Sequence, residues 1–149
     1  MTPSKNCIDL IKKFEGFRSE SYQDSVGVWT VGYGSTMWPD GNKVQSGQKM
    51  TMLEAEKVMA WELDRKGKVI ISALPTTIIN QNQFDALLSF ADNLGVGALL
   101  KSTLFKKLKL NPNDESIRAE FMRWVNAGGK PLKGLITRRK AEADLYFKK

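Results

Sequence analysis

Between about residues 17 and 45 the chain abandons helical periodicity, and this interruption constrains the fold more than any other feature. Gly27, Gly32, Gly34 and Gly41, the turn signal Pro39-Asp40-Gly41-Asn42, and Val28, Trp29, Thr30, Val31 and Tyr33 spell short strands joined by tight turns. So small a β segment buries little by itself and must lean on helices. Helical patterning lies on both sides of it. Ahead, Cys7, Ile8, Leu10, Ile11 and Phe14 predict a helix from about Pro3 to Glu15, capped by Thr2 or Ser4 and ended at Gly16. Behind, Thr51-Met52-Leu53-Glu54 is a capping-box match that opens a helix reaching to near Gly67 or a little beyond. Pro75 breaks the chain, and Phe84, Leu87, Leu88, Ala91 and Leu94 predict a helix from near Asn80 to Gly95. Further helices are expected around 98–108, 113–125 and 134–147, punctuated by Asn111-Pro112 and Asn126-Ala127-Gly128-Gly129. A small sheet followed by helices is an α+β arrangement. The expected organisation is one domain over 1–149, with a small N-terminal β lobe at about 17–45 and a larger helical lobe.

Composition removes several classes of function. With 42% hydrophobic and 26% charged residues the chain is globular rather than disordered. No apolar run approaches the ~18 residues of a membrane span, and Met1–Asp9 lacks the apolar core of a secretion signal. The chain is therefore expected to be made in the cytosol, without stable membrane insertion. Cys7 has no partner for an internal disulfide and falls on the apolar side of the first helix, where it reads as a small buried hydrophobe. The excess of 23 Lys and Arg over 16 Asp and Glu, net +7, favours polyanionic partners. No zinc-finger spacing, RNA-binding aromatic signature or complete nucleotide loop accompanies it, so nucleic acid is not the expected partner.

The absence of histidine and the single cysteine leave carboxyl groups as the natural proton carriers. Glu15 closes the first helix, Asp24 stands in the turn expected between the first two strands, and Thr30 follows on the second. Singly, each is ordinary: a surface Glu, a turn Asp, a strand Thr. Together they place two carboxyls and a hydroxyl in one helix-end, hairpin and Gly-rich frame. Two carboxyls facing across a cleft are what glycosidic cleavage needs, one protonated to donate and one ionised to activate water or attack. At a helix C-terminus, beside Phe14 and Phe17, Glu15 is expected to hold its proton above the ordinary value.

At these residues the sequence resembles the phage-type lysozymes, or endolysins, related to the T4 lysozyme family (glycoside hydrolase family 24). The family pattern is met by Glu15, Asp24, Thr30 and Gly32-Tyr33-Gly34. The resemblance continues through Gln83–Gly95, Lys101-Ser102-Thr103-Leu104, Trp124–Gly129 and Gly134–Glu142. It implies a lysozyme-like α+β fold with the active-site cleft between the lobes. It also implies hydrolysis of the β-1,4 bond between N-acetylmuramic acid and N-acetylglucosamine in bacterial peptidoglycan, without metal or cofactor. By this resemblance Glu15 is the general acid, Asp24 deprotonates the attacking water and Thr30 holds that water. A water between acid and base implies inversion, with carboxyls roughly 6.5–9.5 Å apart rather than about 5 Å. Thr36, Asn93, Ser102 and Thr103 match sugar-binding positions, although each serves equally as a cap or turn residue. The family also implies a monomer that waits in the host cytoplasm until a holin opens the membrane, and then acts on the wall.

Some positions depart from the family or stay open. Ser35 stands where many relatives have a histidine, and Asp92 where an aromatic or aliphatic residue is usual; Asp92 is expected to face solvent or enter a salt bridge. Arg138 and Arg139 are spaced for surface pairing with Glu142, while the family suggests that one of them supports Glu15. Phe121 and Trp124 read as core. Alternative functions are a lytic transglycosylase on the same substrate, against which Asp24 argues, and a catalytically silent peptidoglycan-binding module.

Overall fold

The structure, a computed structural model, describes residues 1–149. Seven helices and two strand pairs form two compact units, one of Ile8–Arg65 and one of Met1–Cys7 with Lys66–Lys149. The first unit is built around a hairpin and the second is helical.

In the hairpin unit, α1 (Lys5–Glu15, whose first turn belongs to the helical unit) precedes β1 (Arg18–Gln23) and β2 (Trp29–Gly32). Gly16 ends α1 with φ +69°, a left-handed conformation that glycine adopts freely, and its N–H closes onto Lys12 O at 2.9 Å. β1 and β2 pair antiparallel, with Tyr22 opposite Thr30 and Gln23 opposite Trp29. Isolated bridges join Glu20 to Lys49, Val31 to Ser35 and Met37 to Lys43. The expected turn at 39–42 forms, with Gly41 N–H donating to Trp38 O and Asn42 N–H to the Asp40 carboxylate. Ile11, Val31, Val44, Met50, Ala55, Met59 and Leu63 make the apolar interior of this unit.

α2 (Met52–Ser72) opens with the anticipated capping box: Glu54 N–H donates to Thr51 Oγ1 and Thr51 N–H to Glu54 Oε1, both at 3.1 Å. Hydrogen bonding from the Thr51 backbone N–H, and from its side chain, holds the Glu54 carboxyl below its usual range. The helix passes Gly67 and runs to Ser72. A Cβ at residue 67 would stand 2.8 Å from the Phe84 ring, so this glycine allows two elements to approach closely rather than ending a helix.

The helical unit centres on α3 (Gln81–Leu94), capped by Asn80 and Gln83 and packed against α7 (Lys133–Tyr146) and α4 (Val96–Lys101). α5 (Thr103–Leu110) and α6 (Ile117–Phe121) complete it. The expected helix over 98–108 is thus two helices broken at Ser102, and that over 113–125 is reduced to 117–121. Asp114 explains the late start of the second, because its carboxylate accepts the Ser116 N–H and hydroxyl in a local turn that competes with helix. A hairpin not foreseen, β3 (Asn126–Ala127) with β4 (Lys130–Pro131), turns on Gly128 and Gly129, whose φ values of +59° and +79° suit a two-residue loop. Phe84, Leu87, Leu88, Phe90, Phe121 and Tyr146 fill the core. Trp124 is only half-buried, edge-on to Phe90, and so is not the core residue expected of it. Cys7 is fully buried, and burial together with the Asp85 carboxylate pushes its thiol well up.

The expectation of surface pairing along α7 is corrected. Arg138, Arg139 and Glu142 are all buried, because the face they occupy packs against α3. Arg139 Nε lies 2.7 Å from Glu142 Oε1, and its Nη2 donates to Oε2 at 3.0 Å. Arg138 reaches the same carboxylate at 3.3 Å and donates to Ser89 O at 3.0 Å. Asp92 takes the salt-bridge alternative, 3.0 Å from Lys66 and 3.8 Å from Arg138. Burial pushes Glu142 up and Arg139 down, and their mutual attraction opposes both shifts.

Candidate active site

The three side chains expected to carry the chemistry all belong to the hairpin unit. Asp24 opens the β1–β2 turn. Its backbone N–H donates to Val28 O, and its Oδ1 accepts the N–H groups of Val26 and Val28, each at 2.9 Å. These bonds fix the carboxylate through one oxygen. Thr30 is 5% exposed, and its hydroxyl donates to that same Val28 O at 3.0 Å. One peptide group thus couples Asp24 to Thr30. The Thr30 oxygen keeps lone pairs with which to accept a hydrogen bond from a water molecule.

Glu15 is brought in by the loop that follows Thr30. Val31 and Ser35 exchange two backbone hydrogen bonds of 2.9 Å, closing a tight loop over Gly32-Tyr33-Gly34. Tyr33 is buried there, with the Phe17 ring 5.5 Å from its centroid and Lys12 Nζ above its face. Lys12 is in turn paired with Glu56 at 2.6 Å, which raises the lysine above its ordinary value. Gly34 faces the Glu15 carboxyl so closely that a Cβ on it would stand 2.9 Å from Oε2. Glu15 and Thr30 therefore flank one short loop, and Asp24 is tied to Thr30 across the hairpin. The arrangement supplies a half-buried carboxyl, a second carboxylate fixed by backbone amides, and a hydroxyl suited to holding water.

The four expected sugar-binding residues are dispersed between the units. Thr36 is exposed in the hairpin unit, and its carbonyl accepts from Val44 N–H. In the helical unit Asn93 is half-buried, with Oδ1 buried and unpartnered. Ser102 is buried and caps α5, accepting from Phe105 N–H at 3.0 Å and donating to Leu99 O at 2.6 Å. Thr103 is exposed beside it. Ser102 and Thr103 line an open groove of about 450 Å³ together with Lys101, Glu120, Arg123 and Trp124. Glu120, paired with Lys107 and Arg123, has its carboxyl held below the ordinary range. Sequence reasoning did not single out Gly34 by itself or the groove residues Glu120 and Arg123. A glycine at the site was legible only as part of a motif, and a groove assembled from separate helices leaves no local pattern.

Residues 12–142 match the phage lysozyme family. The chain is 37% identical to the endolysin of Acyrthosiphon pisum secondary endosymbiont phage 1 over 148 residues, covering 96% of each chain. It is 36% identical to the endolysin of Salmonella phage P22, covering 99% of each. The solved endolysin from Escherichia coli O157:H7 phage FAHEc1 superposes with a TM-score of 0.87 at 34% identity, over 99% of this chain and 94% of that one. A Glu-Asp-Thr set framed by a helix end and a Gly-rich hairpin, in a chain matched from end to end by endolysins, belongs to the phage lysozyme family.

Proposed function

We propose that Glu15, Asp24 and Thr30 carry the reaction of this endolysin, a muramidase of bacterial peptidoglycan, by single displacement at the β-1,4 bond between N-acetylmuramic acid and N-acetylglucosamine. Glu15 protonates the departing glycosidic oxygen. The Asp24 carboxylate, oriented by the Val26 and Val28 amides, takes a proton from water as that water attacks the anomeric carbon. Thr30 accepts a hydrogen bond from the same water and fixes its direction; with no base partner it is too weak a nucleophile to attack in its own right. Because the water enters opposite the leaving group, the product anomer is inverted. The observation that carries this reading is the coupling of Asp24 to Thr30 through the backbone of Val28, with Glu15 against the loop that begins where Thr30 ends.

Thr36, Asn93, Ser102 and Thr103 are proposed as sugar contacts, Asn93 through its amide and Thr103 through its exposed hydroxyl. The family match spans both units and supports a single working domain. The enzyme is proposed to act as a monomer, reaching the wall from the host cytoplasm once a holin has opened the membrane. No helix is long and apolar enough to cross a membrane itself.

The test is digestion of purified sacculi by the wild type beside Glu15→Gln, with products followed by mass and by proton NMR. Reducing-end hydrolysis products appearing first as the α anomer, and loss of digestion in the variant, are expected. Comparable digestion by both proteins would remove Glu15 as the acid. Anhydro products lighter by one water would replace hydrolysis by transglycosylation, and binding without any product would leave only a wall-binding module.

A further inference from the structure

Two glycines, Gly32 and Gly34, bracket Tyr33, and both adopt positive φ, +69° and +84°. A side chain at residue 32 would meet Met50 Sδ at 2.7 Å and the α2 residue Ala55 at 3.0 Å for Cβ and 3.6 Å for Cα. The Ala55 Cβ is fixed to its helix and can give little. The three atoms nearest a side chain at residue 34 all belong to Glu15, at 2.9 Å for Oε2, 3.4 Å for the carboxyl carbon and 3.8 Å for Cγ. The far end of a flexible side chain yields easily, so this contact costs little stability. What it costs is the position of the acid.

We propose that Gly34 is a positioning residue for Glu15, its bare Cα forming the wall against which the carboxyl rests. The wall is held at its ends and its middle. Its two ends are closed by the Val31–Ser35 hydrogen bonds, and the residue between the glycines is buried under Phe17 and Lys12. Glycine keeps the wall thin enough for the carboxyl to occupy its place. Any Cβ turns the carboxyl away while leaving the loop standing. The inference rests on Glu15 acting as the acid and adds the residue that sets where its proton is delivered. A displacement of about 1 Å at a proton-transferring group is enough to lower turnover about 10²-fold.

The experiment measures Tm, kcat and KM on soluble glycan chains, with the pH profile of kcat, for wild type, Gly34→Ala, Gly34→Asn, Gly32→Ala and Glu15→Gln. Asparagine tolerates positive φ better than alanine but still carries a Cβ. The expected result is an equal fall in kcat for both Gly34 variants, about 10²-fold, with KM nearly constant and the pH profile displaced. Gly34→Asn should lose less Tm than Gly34→Ala. Gly32→Ala should lose Tm while its folded fraction keeps wild-type kcat. Restoration of kcat in Gly34→Asn would assign the effect to backbone strain and overturn the proposal. So would losses that merely follow Tm in every glycine variant, Gly34 variants too unstable to assay, or Gly34 variants with wild-type kcat while Glu15→Gln is inactive. An active Glu15→Gln would instead overturn the mechanism beneath it.

Discussion

Val28 is the smallest unit that explains the chemistry proposed for this enzyme. Its N–H holds the Asp24 carboxylate and its carbonyl accepts the Thr30 hydroxyl, so base and water anchor are tied to the backbone of one residue. Asparagine at position 24 keeps an oxygen able to accept both turn amides but cannot take a proton from water. Asp24→Asn should therefore lower kcat by about 10²–10⁴-fold with Tm and KM little changed. Steady-state kinetics beside a thermal melt check this. A raised KM with wild-type kcat would place Asp24 in sugar binding instead.

At the scale of elements, the contact between α3 and α7 shows how packing converts a common surface motif into a buried one. Arginine three and four residues before glutamate is an ordinary pairing on a solvated helix, worth a few tenths of a kcal/mol. Here Arg139 and Glu142 are wholly buried, so removing one charge strands the other where water cannot reach it. Glu142→Gln should destabilise the protein by about 3–5 kcal/mol in urea unfolding. A cost below about 1 kcal/mol would mean that the pair behaves as a solvated one. Gly67 follows the same logic: its place in α2 is explained by the Phe84 ring on α3, not by anything in α2 itself.

Over the whole molecule, charge and chemistry are segregated. The helical unit carries sixteen Lys and Arg against seven Asp and Glu, net +9, whereas the hairpin unit with Glu15, Asp24 and Thr30 carries seven against nine, net −2. Attraction to an anionic wall is therefore expected of the unit that does not hold the proposed acid and base. Lys106 and Lys109 are exposed on α5. Replacing both by Glu should weaken wall binding and flatten its dependence on salt, since exposed charges are screened within about 10 Å at 0.1 M. Turnover on small uncharged glycans should not change. Sedimentation with sacculi across a salt series, beside kcat on such fragments, checks this. Equal salt slopes for both proteins would place the attraction elsewhere.

The first helix, the small hairpin with its turn at Asp24, the capping box at Thr51 and the helix ending at Gly95 were legible in the sequence, and the trio Glu15, Asp24 and Thr30 could be proposed from it, because each depends on residues close together along the chain. Caps, turns and strand alternation are short-range physics, and a family pattern records short-range spacing. Other features were not legible. The length of α2, the break at Ser102, the burial of Arg138, Arg139 and Glu142, and the approach of Gly34 to Glu15 depend on which distant surface a residue meets. An Arg-Glu spacing reads the same in water or in a core, and a glycine reads the same as a helix end, a hinge or a wall. Only the packed structure supplies the neighbour, and the neighbour determines the residue's role.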